Sequence, residues 1–352
     1  MMIIGCDFHP RFQQVAFVDQ ETGECGERRL GHREEAEGFY RSLAGRGVRV
    51  GMEATGNYRW FRRLMADLGH EVLLGDAAAI RASYPRKQKT DKRDARHILT
   101  LLLEDRFPVV WQPGVENEEL RQLVLHRMKL VRLRTRLKNQ LDSLAKDEGC
   151  LSPRVWSSKR RAEIEGLVLS SWLKQRRRDL LELHGEMERR IQPLDEAVRQ
   201  AAETSAEARL LMSHPGVGPV TALAFVLTIG EWQRFPRGKQ VGSYLGLIPA
   251  EESSGSRRRL GAVSKQGSSL VRWLLVEAAT TAQRYDASWH RQYVRLSMTK
   301  HHGVAKVAIA HKLAVRMYWM LRSGESYPQV VERGSHVGQS EYRRGGRCTP
   351  RS

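Results

Sequence analysis

Residues 116 to 148 read ENEELRQLVLHRMKLVRLRTRLKNQLDSLAKDE, a stretch without glycine or proline. Leu123, Leu130, Leu137 and Leu144 recur in it at heptad spacing, the period that keeps one apolar seam turned toward a partner helix. A helix of this length buries its seam only against a second long helix, which limits the folds open to the chain. The stretch SSWLKQRRRDLLELHGEMERRIQPLDEAVRQAAE, reached through the basic connector PRVWSSKRRAEIEG, supplies a candidate. The two are expected to lie antiparallel as a coiled-coil stalk inserted between flanking domains. Arg127 and Arg134 interrupt the neighbouring seam position, so the partner is a similar helix of this chain or of a second subunit.

The residues before the stalk alternate between two periods. MIIGCDF and QQVAFVD are short apolar runs separated by a turn around His9 to Phe12, and read as a hairpin. A third strand near Gly26 to Gly31 precedes the helical REEAEGFYRSLAGRG. Then come the strand VRVGMEA, the helix YRWFRRLMADLG, the strand HEVLLGD and further helix through Asp105. The order βββαβαβα predicts a mixed sheet with helices packed on it, the order of an RNase H-like fold. The expected organisation is an α/β domain over 1–110, a helical insertion over 111–207, a mainly helical domain over 208–325 and a basic tail over 326–352. That tail is low in apolar residues and is expected to order only on meeting a partner.

Charge narrows the partners. Among 352 residues, 59 Lys and Arg oppose 40 Asp and Glu, a surplus of +19 with an isoelectric point near 10.2. Such a surplus predicts a polyanionic partner. The sequence has no apolar run long enough to span a bilayer and opens with MMIIGCDFHP, which does not read as a secretory signal. Nucleic acid is therefore favoured over membrane. The four cysteines are far apart, which excludes a disulfide framework and a zinc ribbon. A reducing bacterial cytoplasm, near the nucleoid, is the expected location.

Asp7 stands within the first apolar strand, where a carboxylate is costly unless something cationic meets it. Glu53 ends the strand VRVGM, and KTDKRDAR offers Asp91 and Asp94 three residues apart on one helix face. Read singly, each has an ordinary alternative: a strand-end acid, a cap partner, or half of a surface pair with Lys92 or Arg93. Taken together, four converging carboxylates suit two magnesium ions roughly 3.5–4 Å apart, the arrangement used in phosphoryl transfer.

The elements GCDFH, MEATGNY, KTDKRDA, HPGVGPVTA, YLGLIP, SSG and SKQGSSLVRWLL, in this order over residues 1 to 322, resemble the insertion-sequence 110 family of transposases, the bridge-RNA-guided recombinases. The resemblance implies a RuvC-like domain whose acidic tetrad is Asp7, Glu53, Asp91 and Asp94, a coiled-coil insertion, and a C-terminal domain with a catalytic serine. It further implies magnesium, donor and target DNA, a noncoding bridge RNA and a dimer or tetramer. Pro10 departs from the lysine common in the family at that turn.

HPGVGPVTA has the form of a helix-hairpin-helix turn. Gly216 and Gly218 permit the bend, Pro219 suits a first helical position and Thr221 can bond near the helix start, so the turn would grip a phosphate. A plain Gly-Pro turn is the alternative. Downstream, PAEESSGSRRRLG sets two serines before Arg257, Arg258 and Arg259. By its residues alone this is a loop with a solvated charge run or a phosphate contact. The resemblance assigns the nucleophile to Ser254, with Ser253 as the fallback, and sets Lys265, Gly267 and Arg272 on the DNA backbone. A nuclease of RuvC type using metal-activated water, and a nucleic-acid-binding protein with relic acids, are the rival readings.

Overall fold

The computed structural model describes residues 1–54, 56–84, 90–151, 156–251 and 259–333. The chain divides into two compact units, Met1–Gln112 and Pro113–Ser352.

The first unit contains β1 (Met2–Phe8), β2 (Phe12–Asp19), β3 (Cys25–Gly31), α1 (Glu34–Ser42), β4 (Val48–Glu53), α2 (Arg59–Asp67), β5 (Glu71–Gly75), α3 (Ala77–Ala82) and α4 (Asp91–Leu103). The five strands lie in the order β3-β2-β1-β4-β5. The β1–β2 and β2–β3 pairs are antiparallel, and the β1–β4 and β4–β5 pairs are parallel. This mixed sheet is consistent with an RNase H-like domain. Alternation along the strands sorts the apolar side chains between two faces. Ile4, Cys6, Val15, Val50 and Met52 pack with Tyr40 of α1 and with Phe61 and Met65 of α2. Ile3 and Leu73 look the other way, onto Ile98, Leu101 and Leu102 of α4. Each such side chain removed from water stabilises the layers by about 1.5–3 kcal/mol.

The second unit contains α5 (Val115–Asp147), α6 (Ser158–Glu165), α7 (Ser171–Thr204), α8 (Ala206–Met212), α9 (Pro219–Ile229), α10 (Gly238–Tyr244), β6 (Pro249–Glu251), β7 (Leu260–Val263), α11 (Ser269–Tyr285), α12 (Ala287–Ser297), α13 (His302–Ser323) and α14 (Tyr327–Glu332). The stalk is the antiparallel pair α5 and α7. Its partners step up one helix as they step down the other: Arg127 meets Asp195, Arg134 meets Glu188 and Leu141 clusters with Leu180.

The heptad leucines form only part of the seam. Leu144 is buried, whereas Leu123, Leu130 and Leu137 are half-buried, and Val124, Met128, Leu141 and Ala145 carry the rest of the contact. A straight helix drifts against a strict seven-residue repeat, so the covered stripe moves off the leucines. Between Lys129 and Gln140 no side chain of α5 is buried, and the Arg134–Glu188 pair crosses between the helices there. The root of the stalk, through Val124, Met128, Val198 and Ala202, belongs to the core built by α8 to α14. The far end has its own small core of Leu141, Ala145, Ile164 and Leu180. There the buried Arg160 donates to Asp142 at 2.7 Å and to Cys150 Sγ at 3.1 Å. Pro193 lies inside α7 between these two cores.

A short antiparallel pair, β6 with β7, sets Pro249 opposite Val263 and Glu251 opposite Leu260. The sequence reading expected loop here. The serine segment at 252–258 and the tail at 334–352 lie outside the described residues.

Candidate functional site

Asp7 and Glu53 occupy the ends of two adjacent parallel strands. The β1–β4 register runs through Gly5 opposite Gly51 and Cys6 opposite Met52, so the two acids follow side by side. They share the sheet face that packs on α4, because Gly5 abuts Ala95 and Leu99 of that helix and Gly51 abuts Leu102. Helix α4 begins over the same strand ends. The Thr90 side chain accepts from the Arg93 backbone N–H as its cap, and Asp91 and Asp94 fill the first turn, where the helix dipole favours negative charge. Asp94 is buried and Asp91 exposed.

Two further residues complete this constellation. His9 Nε2 lies 3.0 Å from Asp7 Oδ2 and 3.7 Å from Asp91 Oδ1, with its ring stacked on Phe12 at 4.4 Å. The Tyr84 hydroxyl donates to Asp94 Oδ1, and its ring lies 4.1 Å from that of His97. Burial raises the Asp7 carboxyl above its usual range, opposed by His9 and reinforced by Asp94 and Asp91. The Tyr84 phenol is raised by burial, by its bond to Asp94 and by the charges of Asp94, Asp7 and Glu53. The four acids are thus electrostatic neighbours around one end of the sheet.

This donor set fits a divalent cation. One ligand atom each from Asp7, His9 and Asp91 lie within 4.8 Å of one another. Carboxylate oxygens suit Mg²⁺ or Mn²⁺, and the crowding that disfavours ionised Asp7 is the kind a cation relieves. Sequence reasoning missed His9, although its place two residues beyond Asp7 in an extended segment puts both on one side. It also missed Tyr84, for which the sequence carries no signal, because its contact with Asp94 is tertiary.

In the second unit, Gly216 has φ of +89°, and a Cβ there would stand 2.6 Å from the Ala278 carbonyl oxygen of α11. Its requirement for glycine comes from packing. Gly218 is exposed at the start of α9 with open space beside it, Pro219 follows at a first helical position and Thr221 is buried. Beside this turn, the buried His214 donates from Nδ1 to the Pro215 carbonyl oxygen at 2.8 Å, which fixes the proton on Nδ1.

The turns around Gly246 and Gly267 pack backbone to backbone. A Cβ at Gly246 would lie 2.3 Å from the Gln266 oxygen, and one at Gly267 would lie 2.2 Å from the Tyr244 oxygen. Arg272 clamps them, donating to the carbonyls of Leu245 at 3.1 Å, Gly267 at 3.2 Å and Gln266. The expected phosphate contact at Arg272 thus has a structural duty at the same guanidinium, while Lys265 and Arg259 are exposed. Ser253, Ser254, Arg257 and Arg258 lie outside the described residues, on the segment whose ends β6 and β7 hold.

Comparison with known proteins gives two family matches. Residues 4–147 match the transposase family of DEDD type associated with IS110, and residues 208–295 match the family described as Transposase IS116/IS110/IS902. A probable family 20 transposase of Pseudomonas aeruginosa is 28% identical over 92% of this chain and 97% of its own length. The transposase for insertion sequence element IS1111A of Coxiella burnetii is 28% identical, covering 79% of each chain. The transposase for IS1328 of Yersinia enterocolitica is 27% identical over 77% of this chain and 83% of its own.

Proposed function

Since the chain belongs to the IS110 family of insertion-sequence transposases, we propose that it cuts and rejoins DNA through a serine nucleophile working with the acidic site of its first unit. The observation that carries this reading is the meeting of Asp7, His9 and Asp91 beneath the first turn of α4. Asp7, Glu53, Asp91 and Asp94 would hold Mg²⁺, which when bound supplies neutralisation of phosphate charge and polarisation of the reacting oxygens. His9 positions Asp7 and Asp91, and Tyr84 fixes the Asp94 carboxylate.

Ser254 is the nucleophile in this proposal. Its hydroxyl oxygen attacks a DNA phosphorus and gives up its proton, the bond from phosphorus to the leaving strand oxygen breaks, and a phosphoserine link forms. A hydroxyl of a second strand then attacks the same phosphorus and releases the serine. Arg257, Arg258 and Arg259 favour the charged transition state, and Gly218 at the start of α9 and Lys265 hold neighbouring phosphates. A structured noncoding RNA guides the choice of donor and target DNA, and the enzyme works as a homo-oligomer.

The test is a denaturing-gel assay for a protein–DNA adduct with the element's end as substrate and Mg²⁺ present. The parent and Ser253→Ala form the adduct, Ser254→Ala does not, and Asp7→Ala neither forms it nor cuts. Cutting by Ser254→Ala at the parental rate, without an adduct, would replace the serine with metal-activated water.

A further inference from the structure

The outer side of the stalk carries a basic groove that the acidic site and the serine segment do not use. It has a volume of about 770 Å³ between α6 and α7 and is lined by Arg161, Lys174, Arg177, Arg178 and Arg189, with Glu165 and Glu182 the only acids among the described residues that line it. Three of these cations are already fixed. Arg161 pairs with Glu165 at 2.8 Å, Arg189 pairs with Glu186 at 2.6 Å, and Arg177 donates to the Ile164 and Leu167 carbonyls at 3.1 and 2.9 Å. Lys174 and Arg178 are exposed and have no ion pair among the described residues.

Lys174, Arg178, Gly185 and Arg189 fall on one stripe of α7 at helical spacing, turned away from the buried Leu180, His184 and Ile191. From Lys174 to Arg189 the stripe is roughly 22 Å long at the helical rise. Gly185 sits on its floor. Glycine inside a helix costs about 1 kcal/mol relative to alanine, and a Cβ at Gly185 would meet nothing within 4 Å. Packing therefore does not require glycine here, and what its absent side chain provides is an open floor in the middle of the cationic stripe.

We propose that this groove holds one phosphate backbone strand of duplex DNA flanking the cut site. The inference rests on the transposase reading for its choice of DNA. Charge complementarity selects a polyanion, and among the described residues the lining offers no aromatic ring on which a base would stack, so the contact is with backbone rather than with unpaired bases. A stripe of this length spans roughly six nucleotides of one strand.

The test uses fluorescence anisotropy of the full-length chain with a labelled duplex of arbitrary sequence over a salt series. Lys174→Ala with Arg178→Ala should make the dependence of log affinity on log salt shallower by about 1.8 and weaken binding about tenfold at low salt. Gly185→Ala should weaken binding several-fold while its melting temperature stays level or rises, an outcome that misfolding does not produce. An unchanged slope in the double variant overturns the proposal, as does loss of duplex RNA binding with duplex DNA binding intact. The adduct assay tests the transposase reading and the salt slope tests the groove, so either can fail while the other stands.

Discussion

The Gly5 backbone lies directly against the Ala95 carbonyl: a methyl group at Gly5 would stand 2.3 Å from that oxygen and 2.4 Å from the Leu99 nitrogen. Helix α4 is thereby seated on β1 at the level that brings Asp91 over Asp7. Gly5→Ala forces backbone, not a flexible side chain, to move, and is expected to cost about 1–3 kcal/mol. It should lower the melting temperature and also weaken Mn²⁺ binding, measured by calorimetric titration. A variant that melts and binds Mn²⁺ like the parent would show that α4 is placed by other contacts.

His9 touches Asp7 and Asp91 at once. His9→Ala removes that tie while leaving all four acids in the chain. Mn²⁺ affinity should fall by about 10–100-fold, the range seen when a group that orients metal ligands is lost. The melting temperature without metal should change little, since His9 is only half-buried. Unaltered Mn²⁺ affinity would reduce His9 to a bystander.

Arg272 and Lys265 belong to one segment but carry different duties. Arg272→Ala strands three carbonyl groups and is expected to destabilise the second unit by about 1–3 kcal/mol, and Arg272→Lys should not restore it because an ammonium lacks the planar fork. Lys265→Ala should leave stability alone and weaken DNA binding. Equal melting temperatures for Arg272→Ala and the parent would remove the clamp from the account.

His214 gives the second unit an acid-sensitive point. It is buried beside Trp289 and Tyr327, and burial lowers its ring to about 4 from 6.5, with Arg316 adding and the Pro215 bond and Asp286 opposing. Below the unfolded value the unfolded chain takes up a proton that the folded ring refuses. The stabilisation is therefore complete above about pH 6.5 and is lost as pH falls toward 4, a loss on the order of 3 kcal/mol. Melting curves at several pH values should show a smaller fall for His214→Phe than for the parent across that interval. Parallel curves would refute it.

The strands and helices of the first unit were legible because each run keeps one period, and Asp7 stood out because an acid inside MIIGCDF has to be accounted for. The partners of that acid were harder to read. His9 follows from extended alternation once the strand is known to continue past Phe8, but Tyr84 reaches Asp94 only through a tertiary path. Gly5 and Gly51 carry no local sign of their role, since nothing in the sequence around them says which helix lies on them. The leucine heptad announced the stalk and misplaced its seam, because the covered stripe depends on the pitch of two helices together. The family resemblance set Arg272 on the DNA backbone, and nothing in SLVRWLL shows the carbonyls that surround its guanidinium.

Pro193 has a mechanical consequence. It deprives α7 of one rung of its hydrogen-bond ladder at a place between the distal core around Leu180 and the root core around Val198. The opposing α5 has no such break. Pro193 is thus the weakest rung of α7 between its two cores, and the unbroken α5 opposite it carries the load at that level.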